Sequence, residues 1–231
     1  MPVSQTISPS VESGRIYLAP HPQREQSMKR LLRFRIRTLL ILVSIASVAL
    51  GVWSIHVKPY RDQAIAQAYV AQMAGTTAFE AADGPAWNER LVVATVGPEA
   101  YVKVTAVDLG GSSIDDAGVA RLAALRHLRR LNLDRTNITD RSLQTVGRFN
   151  NLQTLSLRYC PIGDAGVIHL QPLQRLETAY LTGTTVSGTS GSVLQAMRSL
   201  RHLYLRWTRF SGDEVQRLRQ AIPGCAIHHH S

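Results

Sequence analysis

Cysteine occurs only twice in these 231 residues, too few for the disulfide framework that staples small secreted domains. Charged residues are sparse at 18%, so the charge-rich composition of a disordered chain is excluded as well. The motifs that announce chemistry are missing too. There is no G-x-x-x-x-G-K-(S/T), no G-x-G-x-x-G and no H-E-x-x-H, and the glycines of "GTSGS" lack the spacing of a nucleophile elbow. An enzyme is not expected, nor is a cofactor or a resident metal.

What is present is apolar content of 45%, enough to bury one or two cores. The net charge of +10 is unevenly placed. The first 37 residues hold seven Lys or Arg against Glu12 and Glu25, while the far longer stretch 58–231 holds 19 against 14. The basic excess is thus densest at the N-terminus, and no nucleic-acid partner is expected. The opening stretch "MPVSQTISPSVESGRIYLAPHPQREQ" is rich in Pro, Ser and Gln and has no apolar period. It reads as flexible, part of a basic cytoplasmic tail over residues 1–37.

Thr38 to Ile55 then gives 18 residues without a charge. As a helix this is about 27 Å, just long enough to span a bilayer core. Five cations (Lys29, Arg30, Arg33, Arg35, Arg37) precede it and Trp53 sits near its end, as an interfacial anchor would. The expectation is a transmembrane helix over 38–57 with the N-terminus cytoplasmic and the rest of the chain outside. Two alternatives stay open: a buried soluble helix, and a signal peptide cleaved near "SVA" at Ser47–Ala49.

Beyond it the chain repeats. "VTAVDLGGSSI" at Val104 recurs every 24 residues as "LRRLNLDRTNI" at Leu128, "LQTLSLRYCPI" at Leu152, "LETAYLTGTTV" at Leu176 and "LRHLYLRWTRF" at Leu200. Counting each copy from zero, offsets 0, 3, 5, 10, 15, 18 and 21 are apolar in 34 of 35 cases, Gly191 being the exception. Composition alone would give about 16. A fixed period in the twenties marks a solenoid. Offsets 3 and 5 share one face of a strand, and 15, 18 and 21 one face of a helical turn, so each copy reads as strand, turn and helix.

These copies resemble leucine-rich repeats, L-x-x-L-x-L-x-x-(N/C)-x-L, of the subclass with an I-(T/G)-D-x-G turn, carried most closely by "NITDRS" and "PIGDAG". The resemblance implies an α/β solenoid, a curved parallel sheet with helices on its convex side. The Asn/Cys position departs from the pattern, holding Ser112, Thr136, Cys160, Thr184 and Thr208, whose polar groups are expected to bond neighbouring turns. Asp116, Asp140 and Asp164 fall at one offset before the helix and are read as its caps. The fourth copy, "TTVSGTSGSVLQ", is expected to loop where the others are helical.

Stacks need covers. Residues 58–103 are assigned to a linker and N-terminal cap: an amphipathic helix with Ile65, Ala68, Tyr69 and Met73 on its apolar face, a strand at "TTAFEA", and a short helix between Pro85 and Gly97. Five repeats fill 104–223, and 224–231 forms a truncated sixth copy with Ile227 at offset 3. Cys160 and Cys225 lie about three strand spacings apart, too far for a bridge. The whole arrangement resembles single-pass bacterial leucine-rich-repeat envelope proteins.

Function is left to the outward strand positions, offsets 2, 4, 6 and 7. The first copy offers Ala106, Asp108, Gly110 and Gly111, with little to grip, whereas aromatics and arginines gather toward the C-terminal half. Arg158, Tyr159, Tyr180, His202, Tyr204, Arg206 and Trp207 are the candidate binding residues, because such side chains dominate interface hot spots. The partner expected is a protein or acidic polymer outside the cytoplasm, with the bilayer held through 38–57. Competing readings are a Tyr180–Tyr204 pair that merely stabilises the sheet, a passive envelope-structural protein, and a cytoplasmic adaptor-type receptor if the topology is reversed. His202, His228 and His230 could meet a zinc ion, but read better as a frayed tail.

Overall fold

The computed structural model describes residues 22–82, 86–97 and 101–229. The chain divides into two compact units, one ending at Gly51 and one beginning at Val52. The first is dominated by helix α1, Pro22–Val52. Pro22–Arg37, expected in the flexible tail, is therefore helical, while residues 1–21 of that tail lie outside the described residues. By length and composition the helical stretch that starts at Arg35 could cross a membrane, with a mean hydropathy of 2.2 over its most apolar window.

The second unit opens on a π-helical turn, Trp53–Val57, and helix α2, Lys58–Gln72. Pro59 supplies the reason for the turn: it lacks an amide hydrogen and its ring would clash with the carbonyl four residues back. The Lys58 amide reaches back to the Trp53 carbonyl, and the extra residue lets helical backbone continue through the proline. Half of the expected apolar face of α2 turns inward, Tyr69 being buried and Met73 packed against the core, and half does not. Ile65 is 61% exposed and Ala68 is exposed, while Gln63, Ala66, Tyr69 and Val70 are buried. Gln63 gains burial because its side-chain amide donates to the Val102 carbonyl.

The expected cap elements are all present. Ala74 in the left-handed region and Gly75 turn the chain, and a Cβ at Gly75 would lie 2.8 Å from the Asp108 carbonyl oxygen. β1, Thr76–Ala81, pairs antiparallel with β2, Val102–Asp108, through a bulge at Ala78/Phe79. Helix α3 spans Ala86–Thr95.

From β2 onward the sheet is parallel and in chain order: β3 Arg130–Asn132, β4 Thr154–Ser156, β5 Thr178–Tyr180, β6 His202–Tyr204 and β7 Ala226–His228. Each residue pairs with the one 24 positions on, as Leu131 with Leu155 and Ala179 with Leu203. β7 is the strand of the truncated sixth copy, with Ile227 buried. Between strands run α4 Asp116–Arg121, α5 Asp140–Val146, α6 Asp164–Val167, α7 Gly191–Ala196 and α8 Gly212–Ala221.

Of the 35 repeat positions, 34 are buried. The exception is Ala221, at the end of the last helix, where Ile222 turns inward instead. Gly191 is buried like its counterparts. At about 1.5–3 kcal/mol per buried aliphatic side chain, these stacked layers drive folding.

Three expectations need correcting. The fourth copy does not loop: a 3-10 turn, Gly188–Ser190, leads into α7, because burial of Leu194 and Met197 outweighs poor local propensity. The hydroxyls at offset 8 donate within their own repeat, Thr136 to Leu133 O at 2.7 Å and Thr184 to Leu181 O at 2.6 Å. Only Cys160 reaches back a repeat, its thiol donating to the Leu133 carbonyl at 3.0 Å. Finally, Asp116, Asp140 and Asp164 are first helical residues rather than caps; the capping positions are Asp115, Thr139 and Gly163. Their carboxylates instead accept amides of the next repeat, from Thr139 at 2.7 Å, Gly163 at 2.7 Å and Ser187 at 2.8 Å.

Candidate functional site: the concave sheet face

Inward leucines at offsets 3 and 5 leave offsets 2, 4 and 6 pointing away from the core. Offset 7 is set by the backbone. Gly111, Arg135, Tyr159, Gly183 and Trp207 all have φ between +54° and +73°. That left-handed bend lets the amide at offset 7 donate to the next repeat, as from Tyr159 to Thr182 O at 2.9 Å and from Gly183 to Arg206 O at 2.8 Å. Three bulky residues accept a conformation that favours glycine, at a cost of roughly 1 kcal/mol each.

Six of the seven candidate residues are brought together as two ladders, and His202 stands beside them. Along offset 4, Tyr180 stacks on Tyr204 at 4.4 Å between ring centroids, and Tyr204 on His228 at 4.3 Å. The Arg158 guanidinium lies over Tyr180 at 4.1 Å and reaches Asp134 at 4.0 Å. The cross-strand pairing is thus real, and it covers both faces of Tyr204.

Along offset 7 the ladder skips a rung. Tyr159 reclines across Gly183, where a Cβ would lie 2.5 Å from its ring, and meets Trp207 at 6.0 Å. Arg135 and Arg206 flank it, 5.2 Å from Tyr159 and 5.3 Å from Trp207. Tyr159 stays 42% exposed and Trp207 60%. His202 is exposed, its ring 6.5 Å from that of His228. His229 turns to the Phe210 carbonyl, and His230 lies outside the described residues.

Sequence reasoning passed over Arg135, although its offset beside Tyr159 was available in the alignment of copies. It also passed over the N-terminal half of the face. There β1 forms a wall and encloses a groove of about 420 Å³, floored by Asp108, Asn132, Asp134 and Ser156 and closed by Arg158 and Tyr180. Asn132 donates to Asp108 at 2.9 Å, and Asp134 accepts both the Ser156 hydroxyl and the Arg158 amide. The first copy therefore contributes to a concavity despite its small residues, because β1 raises its rim.

Both thiols are buried and free, and burial pushes each up, Cys225 to about 11. Among the described residues no cluster of His, Cys, Asp or Glu could hold a metal.

A family model described as Leucine Rich repeat matches residues 124–147 and 150–170. No curated protein matches the chain. Among solved structures, internalin C2 of Listeria monocytogenes is 23% identical over 60% of this chain and 55% of its own, with a TM-score of 0.46. The leucine-rich-repeat ectodomain of the receptor kinase SOBIR1 of Arabidopsis thaliana is 16% identical over 74% of this chain and 92% of its own, TM-score 0.47. A leucine-rich-repeat protein of Leptospira interrogans is 20% identical over 47% and 33%, TM-score 0.35. The chain spans about half the length of the internalin it matches.

Proposed function

We propose that this chain is a leucine-rich-repeat protein, as the match at residues 124–147 and 150–170 supports, and that its concave face is a protein-binding surface held outside the cytoplasm by an uncleaved N-terminal membrane helix, with no catalytic activity of its own. The observation that carries the reading is the ladder of Tyr159 and Trp207. Two large aromatics are left exposed side by side in strained backbone, flanked by Arg135 and Arg206. Exposed aromatic and arginine clusters on a rigid sheet bury large area at modest entropic cost. The surrounding cations favour a partner with acidic side chains.

The anchor rests on the five cations before Thr38, the uncharged run to Ile55 and the helix that contains it. Two measurements test the proposal. A reporter active only outside the cytoplasm, fused after Ser231, should be active; activity of a cytoplasmic reporter instead would reverse the topology. Crosslinked capture by the full chain should fall with Trp207→Ala and not with Gln144→Ala on the convex side. Equal capture by both variants would leave the face without this role and favour a passive envelope-structural protein.

A further inference from the structure

The loops entering the strands share one edge of the solenoid, and that edge is basic. Among the described residues, Arg129, Arg175, Arg198 and Arg201 lie along it against Glu80 and Glu177, whereas the loops leaving the strands carry the aspartate series. At its N-terminal end this edge opens into a cavity of about 820 Å³. One wall is apolar, from Ile55, Pro59 and Tyr60, and the other carries Lys103, Arg126 and Arg148. Arg126 and Arg148 are both exposed. The apolar wall comes from the last residue of the uncharged run Thr38–Ile55 and the segment just after it.

We propose that this cavity is a binding site for an anionic glycerophospholipid, its phosphate held by Arg126, Arg148 and Lys103 and its glycerol end against Ile55 and Tyr60. Guanidinium groups match phosphate oxygens in paired geometry, and the volume is that of a small-ligand site. A soluble anion would need no apolar wall. A lipid needs one beside its phosphate, and in the sequence Ile55, Pro59 and Tyr60 lie at and just after the end of the uncharged run that would enter the bilayer. The inference rests on the membrane reading given above.

The chain's three tryptophans make the test direct. Trp87→Phe with Trp207→Phe leaves Trp53, two residues before Ile55, as the sole emitter. The full chain carrying these changes is reconstituted in phosphatidylcholine vesicles holding brominated phosphatidylglycerol or brominated phosphatidylcholine at equal mole fraction. Quenching by the anionic lipid should be stronger by about twofold or more, and Arg126→Gln with Arg148→Gln should equalise the two. Arg198→Gln with Arg201→Gln, the same charge change elsewhere on the edge, should leave the ratio intact.

Equal quenching by both lipids in the parent would sink the site while leaving the membrane helix standing. Absence of quenching by either would sink the membrane reading itself. Equal loss in both arginine pairs would reduce the effect to diffuse attraction. If inorganic phosphate abolished the ratio where matched chloride did not, the cavity would belong to the free anion. Energy transfer between labelled copies that fell with Arg126→Gln and Arg148→Gln, at an unchanged lipid ratio, would assign the basic edge to pairing with the acidic edge of a second copy.

Discussion

The Asp164 carboxylate takes two hydrogen bonds from Ser187, 23 positions on: the backbone amide at 2.8 Å and the hydroxyl at 2.6 Å, one on each oxygen. Asp116 holds Thr139 in the same way, at 2.7 and 2.6 Å, and Asp140 holds the Gly163 amide. Each aspartate starts one repeat's helix and fastens the capping residue of the next. The series stops at Gly188, because the Glu214 side chain fills that space and itself satisfies the Ser211 amide at 2.8 Å.

Asp164 is the member whose stability contribution should titrate visibly. Burial raises its pKa, but the bonds from Ser187 and Ser190 outweigh this and hold it below the ordinary value of 3.8. A depressed carboxylate stabilises the fold above the unfolded value, and the gain is lost as pH falls through the folded one. Asp164→Asn should lower the stability measured by urea unfolding near neutrality by about 1–2 kcal/mol. The gap to the parent should close as pH falls below 3.8. A gap that persists unchanged in acid would show that the charge is not what matters.

Gly183 and Gly111 separate strain from clash. Both have positive φ, +72° and +73°, but a Cβ meets Tyr159 at 2.5 Å in the first and nothing within 4 Å in the second. Gly111→Ala should cost about 1 kcal/mol from backbone strain alone. Gly183→Ala should cost more and also weaken partner capture, since it displaces Tyr159 from Trp207. Equal costs, with capture intact, would mean that Tyr159 moves aside freely.

Trp207 and Tyr204 should behave differently although both lie on the face. Trp207→Gly removes an exposed ring and relieves a left-handed residue, so thermal stability should hold or rise while capture weakens by about 2 kcal/mol. Tyr204→Ala strips a ring stacked on both sides and should lower stability by about 1 kcal/mol or more. Parallel losses of stability in the two variants would contradict this division.

The thiols should be silent in the folded protein. Burial raises both, Cys225 to about 11, so each favours the protonated fold. That contribution is full below the ordinary value of 9.0 and is lost as pH rises through the folded value. A disulfide reagent at neutral pH should label neither cysteine until denaturant is added. Rapid native labelling of Cys160 would place it in an open environment.

Much of the solenoid was legible because its signal is local and repeated. Leu131, Leu155 and Leu203 announce their burial by offset alone, and a single glycine could not blur it. The α2 face was misread because Gln63 looks exposed in sequence, and only its bond to the Val102 carbonyl makes burial tolerable. The aspartates were placed correctly near the helix starts, yet their partners lie a repeat away, where a capping rule does not look. Tyr159 and Trp207 were both singled out, but not as a pair, since they are 48 positions apart with the Gly183 repeat between them.

The amino-acid sequence by itself determined the 24-residue period, the core positions, the order of cap and repeats, and the uncharged run at the N-terminus. Each follows from which side chains leave water, a property that recurs at fixed spacing along the chain. Tertiary structure alone decided which residues outside the core come together: Asp164 bonded to Ser187, Tyr159 against Trp207 across Gly183, and Arg126 and Arg148 lining one cavity. Those meetings depend on strand register and on the left-handed bend at offset 7, which bring residues far apart in sequence within a few ångströms while leaving no mark on composition or period.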